Sequence, residues 1–426
     1  MSRIQPANTS QLCLVPSDAG CWLPVDHPVR FFNDMIEEEL DLSQFVKSPL
    51  TTGRHGRPSY DRVMLLKVIA YGYTMGIHSS REIAKGCVER IDFRFLTGGL
   101  TPSFSTITKF RADHVQALAG LLSQSVSIAM KDELVEMSDV AFDGTKVLAN
   151  ASKHKAMSYQ RMCERVLQLH TEIEDLKQER RRATVRRKEE IERDLDFKQK
   201  RLGNLQQQKF ALEDQHSEQS GELPKEKDQR NFTDPESRIM KKGNGFEQCY
   251  NAQAAVDKCS QIIIAGYVTQ AGNDKQQLEP LVERTLAQVG VLPDRGLADA
   301  GYFSEAVAES LKQRYGNTTW LISPGRLAQS SSGAPPRGRI PRDISAADLM
   351  RRKLSTKAGK AAYAQRKAIV EPAFGQIKEA NLEFRRFSFR GLVKVQAEWQ
   401  LVCAAHNLLK IVRYRRSVAT VEKRAA

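Results

Sequence analysis

The sequence predicts a mixed α/β sheet flanked by helices, preceded by an all-α region and interrupted by an inserted antiparallel helical hairpin. Three observations carry that prediction. Apolar residues recur at helical spacing through residues 27–132. Strand-length apolar runs alternate with amphipathic stretches over residues 246–322. Between them, Met162, Val166, Leu169, Ile173 and Leu176 step by four and three through a segment otherwise made of charge and Gln, the spacing of a coiled-coil seam.

In chain order, residues 1–26 show little periodicity and are expected to be extended. In the helical domain, residues 27–132, Phe31, Phe32, Met35, Ile36 and Leu40 make one stripe, and Val63, Leu66, Lys67, Ala70 and Tyr71 another. Ser79-Ser80-Arg81-Glu82 offers an N-cap with an acid close behind it. A helix over 80–96, the Gly98-Gly99 break and a restart at Thr101-Pro102-Ser103 resemble a helix-turn-helix, with Thr106, Lys109 and Arg111 on its second, DNA-facing helix. A basic loop, residues 53–58, precedes it. Such helix pairs also occur in cores that never touch DNA.

A first strand is expected over 139–149, and the helical hairpin over 158–216. The hairpin's return arm carries Ile191, Leu195, Leu202, Leu205 and Leu212, with Lys198 and Lys209 in two seam slots and a corner near Arg180-Arg181-Arg182-Ala183-Thr184. Its plain reading is a solvated spacer. Paired strands follow at 248–256 and 262–268, a helix at 275–289, a strand at 296–300, a helix at 304–314 and a strand at 318–322. Residues 323–343 form a basic loop rich in Ser, Gly and Pro, and a long helical region begins near Ala346. The sheet domain thus comprises 133–157 and 217–412, with a basic tail at 413–426.

Charge narrows the partner. Lys plus Arg exceed Asp plus Glu by 65 to 51, and residues 351–426 alone hold 18 basic and 5 acidic side chains. That field favours a polyanion. Arg413, Arg415 and Arg416 either lie in solvent or touch a DNA backbone diffusely. The seven cysteines form no CxxC pair, which argues against structural zinc and for reduced thiols in a soluble cytoplasmic protein. No apolar run is long enough to span a bilayer.

Three acids suggest chemistry. Asp143, in Val140-Ala141-Phe142-Asp143-Gly144-Thr145, and Asp299, in Gly296-Leu297-Ala298-Asp299-Ala300-Gly301-Tyr302, each follow a short apolar run, placing a carboxylate at a strand end where active sites of open sheets gather. Glu371 lies in a basic helical stretch that starts near Tyr363. Three such carboxylates, brought together, could hold two divalent cations about 4 Å apart, one activating the attacking oxygen and one stabilising the leaving oxygen of a phosphodiester. Oxygen ligands favour Mg²⁺ or Mn²⁺. Asp139, Asp257 and Asp274 compete, Asp257 foremost for the second position, and His154 and His406 are candidate neighbours. The plain readings are that Asp143-Gly144 is a turn, that Asp299 caps the turn before Tyr302, and that the histidines are packed or on the surface.

Taken in order, several segments resemble the insertion-sequence transposases of the DDE class. They are Phe142-Asp143-Gly144-Thr145-Lys146 with Ala149-Asn150-Ala151-Ser152, Thr233-Asp234-Pro235-Glu236-Ser237 with Tyr250-Asn251-Ala252-Gln253, Asp299-Ala300-Gly301-Tyr302, and Glu371-Pro372-Ala373-Phe374-Gly375-Gln376-Ile377-Lys378. Arg386-Phe387, Arg390-Gly391 and His406-Asn407-Leu408 also fit, so the resemblance runs from about His27 to Lys410.

The resemblance implies an RNase H-like catalytic domain behind an α-helical DNA-binding domain, with Asp143, Asp299 and Glu371 as catalytic metal ligands for two Mg²⁺ or Mn²⁺ ions. It implies double-stranded DNA as partner, namely the element's terminal inverted repeats and a target, a homodimer or higher oligomer on that DNA, and action at the bacterial nucleoid with no membrane. It also implies strand cleavage at the element's ends, followed by attack of the exposed 3′ hydroxyl on target DNA. The family's tyrosine, arginine, glutamate, lysine signature falls on Tyr363, Arg366, Glu371 and Lys378. Arg366 stands five residues before Glu371, where one helical turn requires about four. Lys367 fills that slot, which makes the two rival phosphate ligands. Pro372 disfavours helix at Glu371. A regulator using only the helical domain would need no metal, and a structural coiled-coil protein would need neither metal nor DNA; the intact triad speaks against both.

Overall fold

The computed structural model describes residues 19–46, 59–325, 338–341 and 344–425. The basic loop at 53–58, residues 1–18 and much of the 323–343 segment lie outside the described residues. The chain divides into two compact units: Met1–Glu136 with Gly375–Phe384 and Gln400–Ala426, and Met137–Phe374 with Arg385–Trp399.

The first unit is helical. Its elements are α1 (Pro28–Glu39), α2 (Ser43–Val46), α3 (Arg62–Thr74), α4 (Ser80–Glu89), α5 (Ile91–Thr97), α6 (Phe104–Asp113) and α7 (Val115–Lys131), together with the later part of the C-terminal helix, Leu392–Ala425. The extended segment expected before them is, in its described part, a 3-10 turn over Ala19–Trp22. Helix α3 is not one-sided as its stripe suggested. Met64 to Thr74 are all buried, because the helix runs through the middle of the unit. Buried Lys67 is compensated, since its ammonium donates to Asn33 Oδ1 at 2.8 Å and pairs with Glu37.

The helix expected over 80–96 is two helices. They break at Arg90, whose guanidinium pairs with Asp92 at 2.6 Å, and Asp92 also accepts from the Tyr71 hydroxyl at 3.0 Å. Gly98 and Gly99 end α5 at φ of 59° and 81°, a backbone that other residues adopt only with strain. Ser103 then caps α6 by accepting from the Thr106 amide.

The basic tail is also structured. The C-terminal helix continues through it, and Arg415 is clamped between Glu39 and Asp132. Arg413 donates to Asn381 at 3.0 Å, and Arg416 pairs with Asp26 at 3.2 Å. A side chain tied to its own fold is a poor candidate for diffuse contact with DNA, so the expectation for Arg415 in particular is overturned.

The second unit is built on strands β1 (Asp139–Leu148), β2 (Ala156–Ser158), β3 (Gln229–Asn231), β4 (Arg238–Lys242), β5 (Gly245–Asp257), β6 (Ile263–Thr269), β7 (Arg295–Ala298) and β8 (Thr319–Ile322). The main sheet runs β4-β5-β1-β7-β8, with β6 also on β5; β2 and β3 pair separately. β1 is antiparallel to β5 and parallel to β7, which is parallel to β8. Buried on both faces from Gln248 to Asp257, β5 is a central strand. Gly296 matters for packing, because a Cβ there would lie 2.3 Å from the ring of Trp320 on the neighbouring strand.

Helices α8 (Tyr159–Arg182) and α9 (Val185–Ser220) separate β2 from β3. Tyr159 pairs with Glu213, Glu172 with Lys198 and Arg180 with Glu192, so the two helices run antiparallel. Met162, Leu169 and Ile173 bury against Ile191, Leu195, Leu202, Leu205 and Leu212 in a cluster of their own, with Met157 and Phe232 packed beside it. Helices α10 (Leu278–Val289), α11 (Glu305–Arg314), α12 (Ala346–Ser355) and α13 (Lys357–Gly375) complete the second unit's helices, apart from the start of the C-terminal helix.

Candidate active site

Strand geometry brings Asp143 and Asp299 together. The parallel register pairs Phe142 with Ala298; Asp143 follows on β1, and Asp299 is the first residue past the end of β7. Both are partly buried. Asp143 accepts from the Gly144 amide at 2.8 Å and from Arg366 Nη1 at 3.3 Å. Burial pushes its carboxyl up to about 6, opposed by the Gly144 hydrogen bond and Arg366 and reinforced by Asp299 and Asp274. Asp299 accepts from the Gly301 amide at 2.8 Å, so it does cap the turn before Tyr302.

The opposite face of β1 is braced by a polar network. Asp274, in the loop between β6 and α10, accepts from Asn251 Nδ2 at 2.6 Å and from Gln253 Nε2 at 2.8 Å, and Gln253 Oε1 accepts from the Tyr302 hydroxyl. Burial foremost, then Asp274, Asp143 and Asp299, holds the Tyr302 phenol neutral and able to donate. Lys146 reaches to 3.9 Å from Asp274. A Cβ on Gly144 would lie 2.4 Å from Gln253 Nε2 and 2.9 Å from Asp274 Oδ1, so only glycine admits this network beside Asp143. In the sequence Asp274 stands only as a rival ligand; the signal of close packing there is Gly144, directly after Asp143.

Helix α13 brings Tyr363 and Arg366 to the pair but not Glu371. Arg366 is buried on the face turned to Asp143. Tyr363 lies within hydrogen-bonding reach of Arg366 and Ser323, with its phenol raised by burial. Glu371 is exposed, and its five-residue offset from Arg366 turns it about 140° round the helix. Lys367 is also exposed. Among the described residues, no three His, Cys, Asp or Glu side chains stand close enough to hold a metal ion. Asp143 and Asp299 have the donor chemistry of a hard cation, while the third carboxylate of the expected set is not gathered with them.

Pro372 does not break the helix as its chemistry suggested, since α13 continues to Gly375. The carbonyl four residues back, that of Ala368, loses its helical donor and accepts instead from Gln261 Nε2 at 3.2 Å. Lys378 falls in a π-helical turn, Gln376–Ala380, so a count of 3.6 residues per turn from Glu371 does not give its direction.

The rival acids have structural duties. Asp139 is buried between Arg295 and Lys258, with Arg295 foremost in holding its carboxyl below the usual range. Asp257 accepts from the Met137 and Cys259 amides at 3.0 and 2.8 Å. His406 is buried in the C-terminal helix, and His154 is exposed. On α6, Lys109 is exposed and Thr106 partly so, whereas Arg111 is buried and donates to His78 O, Ser80 Oγ and the Tyr73 hydroxyl. A buried guanidinium with three partners cannot reach a base edge, so Arg111 is a core residue of the helical unit.

Two family models match the chain. Residues 17–113 match the Transposase domain (DUF772), and residues 216–408 match the Transposase DDE domain, together about two thirds of the sequence. Neither span includes β1 and Asp143. No curated protein and no solved structure is significantly similar to it. A helical region followed by a mixed sheet with helices is consistent with the RNase H-like architecture of a DDE domain. Two transposase domains in that order make this chain a member of the insertion-sequence transposases of the DDE class.

Proposed function

We propose that the protein cleaves the ends of an insertion sequence and joins them to target DNA by two-metal-ion phosphoryl transfer. The observation that carries this reading is the placement of Asp143 and Asp299 side by side where β1 and β7 run parallel. These two would hold divalent Mg²⁺ or Mn²⁺, with Glu371 as the third ligand, and the bound ions supply the charge that stabilises the attacking and leaving oxygens. Arg366 is the counter-charge of Asp143 in this structure and the better placed of the two rival phosphate ligands, because Lys367 faces solvent. Tyr363 orients Arg366, and Lys378 is a further DNA contact. The network of Asp274, Gln253 and Tyr302 fixes the two acids against each other by tying β5 to the turn after β7.

Thr106 and Lys109 face DNA from α6 in this reading, without Arg111. The α8–α9 pair is an inserted coiled-coil hairpin. Each element has two ends, so the working assembly holds at least two copies of the chain on double-stranded DNA. The test is a DNA fragment ending in the element's inverted repeats, incubated with the protein and Mg²⁺ or Mn²⁺. Nicking at the repeat boundary that stops with EDTA is expected; an intact fragment with both metals overturns the proposal.

A further inference from the structure

A cleft of about 710 Å³ opens between α9, α8 and the β2–β3 pair, away from the paired aspartates in sequence and unused by the reaction. Lys155, Arg165, Lys200, Arg201 and His154 line it, and no Asp or Glu does. Arg165 is shared with Glu172 at 2.9 Å and Lys200 with Asp196 at 2.7 Å, but Lys155 and Arg201 have no ion-pair partner among the described residues. Phe197 also lines the cleft and is 64% exposed. The hairpin's apolar cluster is filled by Leu195, Leu202 and Leu205 from the same helix, so the Phe197 ring is not needed to close it.

Among the described residues Lys155 and Arg201 are left without a neutralising acid, and the open Phe197 ring stands in the same cleft, so the feature that sets this surface apart is positive charge combined with a flat apolar face. A small anion would need buried polar anchors, whereas these cations are mostly exposed and spread along two helices and a turn. Spread cations beside an open aromatic ring suit a nucleic-acid strand, whose phosphates displace counterions and whose bases stack on the ring.

We propose that this cleft is a DNA-binding surface of the hairpin, taking the phosphodiester backbone of a strand on Lys155, Lys200 and Arg201 and stacking an unpaired base on Phe197. The proposal rests on the transposase reading for its choice of DNA. The hairpin thereby holds a strand that is frayed at, or flanks, the element's end. The hairpin's corner is the natural control, because Arg180, Arg181 and Lys188 gather there without an aromatic ring lining that site.

The experiment measures affinity of the full-length protein for an end-containing duplex, with and without a single-stranded flank, across a salt series. Lys155→Ala/Lys200→Ala/Arg201→Ala should lower the slope of log K against log salt by about two to three, one for each lost phosphate contact. Phe197→Ala should weaken binding of the flanked substrate roughly tenfold and leave the blunt duplex unchanged. Arg180→Ala/Arg181→Ala/Lys188→Ala should change neither. Unaltered thermal melting confirms that each variant folds. An unchanged slope in the cleft triple, or an equal fall in the corner triple, overturns the proposal while leaving the transposase reading intact. Loss of slope in the cleft triple alone, in a protein that never cleaves with Mg²⁺ or Mn²⁺, supports the cleft and sinks the proposed cleavage and joining activity.

Discussion

Strands and helix treat the candidate site differently. Asp143 and Asp299 are set by backbone pairing, since once Phe142 faces Ala298 across two parallel strands the following residues must adjoin. The residues of α13 depend on rotation about one axis. Arg366 reaches Asp143, and Glu371, five residues on, faces solvent. Pairing of two neighbouring strands therefore fixes both acids together, whereas a helix can hold one functional residue in place while leaving another out. Of the α13 residues it is Arg366 that meets the strand acid, its Nη1 3.3 Å from Asp143 Oδ2, so the guanidinium balances the carboxylate.

The largest expected effect breaks that comparison directly. Asp143→Asn and Asp299→Asn should each reduce end cleavage by at least about a thousandfold while leaving DNA affinity nearly unchanged, because each removes a ligand charge and little volume. Glu371→Gln should do the same if the helix turns its acid inward when DNA and metal are bound. Single-turnover cleavage at saturating protein reads all three. Near-normal cleavage by the Glu371 variant would leave a centre of two strand-borne acids and assign Glu371 to the surface. If Asp274→Asn then matched the two aspartate variants, the third acid would come from the loop after β6 instead.

A smaller effect concerns stability without metal. Burial raises the Asp143 carboxyl from 3.8 to about 6 in the folded protein, although its side chain keeps one fifth of its exposure. The sign follows from proton binding. The folded state holds this proton more tightly than the unfolded chain, so its contribution is fully present below the unfolded value and is lost as pH rises through about 6. The displacement corresponds to at most about 3 kcal/mol. Urea unfolding in EDTA at about pH 5 and about pH 8 should show the wild type losing stability relative to Asp143→Asn over that interval. Mg²⁺ should restore it, as a cation bound to the folded state favours the ionised carboxylate. Parallel pH profiles for the two proteins would mean that Asp143 ionises freely and that Arg366 alone offsets its burial.

The strand ends at Asp143 and Asp299 were legible in the sequence because each acid closes a short apolar run, although the turn reading of Asp299 holds as well, since it accepts from the Gly301 amide. Gly144 and Gly296 were legible as glycines but not in purpose, which depends on Gln253, Asp274 and Trp320 arriving from elsewhere. Helix phase was not legible. Pro372 argued for a break, and the partner that removes the need for one, Gln261, lies more than a hundred residues earlier. Arg111 matched the polar pattern of a recognition helix, yet its partners Tyr73, His78 and Ser80 come from α3, the loop after it and α4, which no local pattern reveals. Local spacing shows where an acid can be displayed, and long-range hydrogen bonds decide which side chains remain free to act.

The smallest effect tests whether Gln261 sets the phase of α13 beside Glu371. Its amide takes the Ala368 carbonyl that Pro372 leaves without a helical donor, and it does so from a left-handed backbone position, φ 57°. The bond is exposed, so Gln261→Ala should cost no more than about 1 kcal/mol. Pro372→Ala restores an N–H at the helical position, and in that background the Gln261→Ala change should cost nearly nothing. A double-mutant cycle by urea unfolding isolates the coupling, expected at about 0.5 to 1 kcal/mol. Strictly additive losses would mean that water serves the Ala368 carbonyl equally well, and the phase of the helix at Glu371 would then rest on the burial of Ile369, Val370, Ala373 and Phe374 alone.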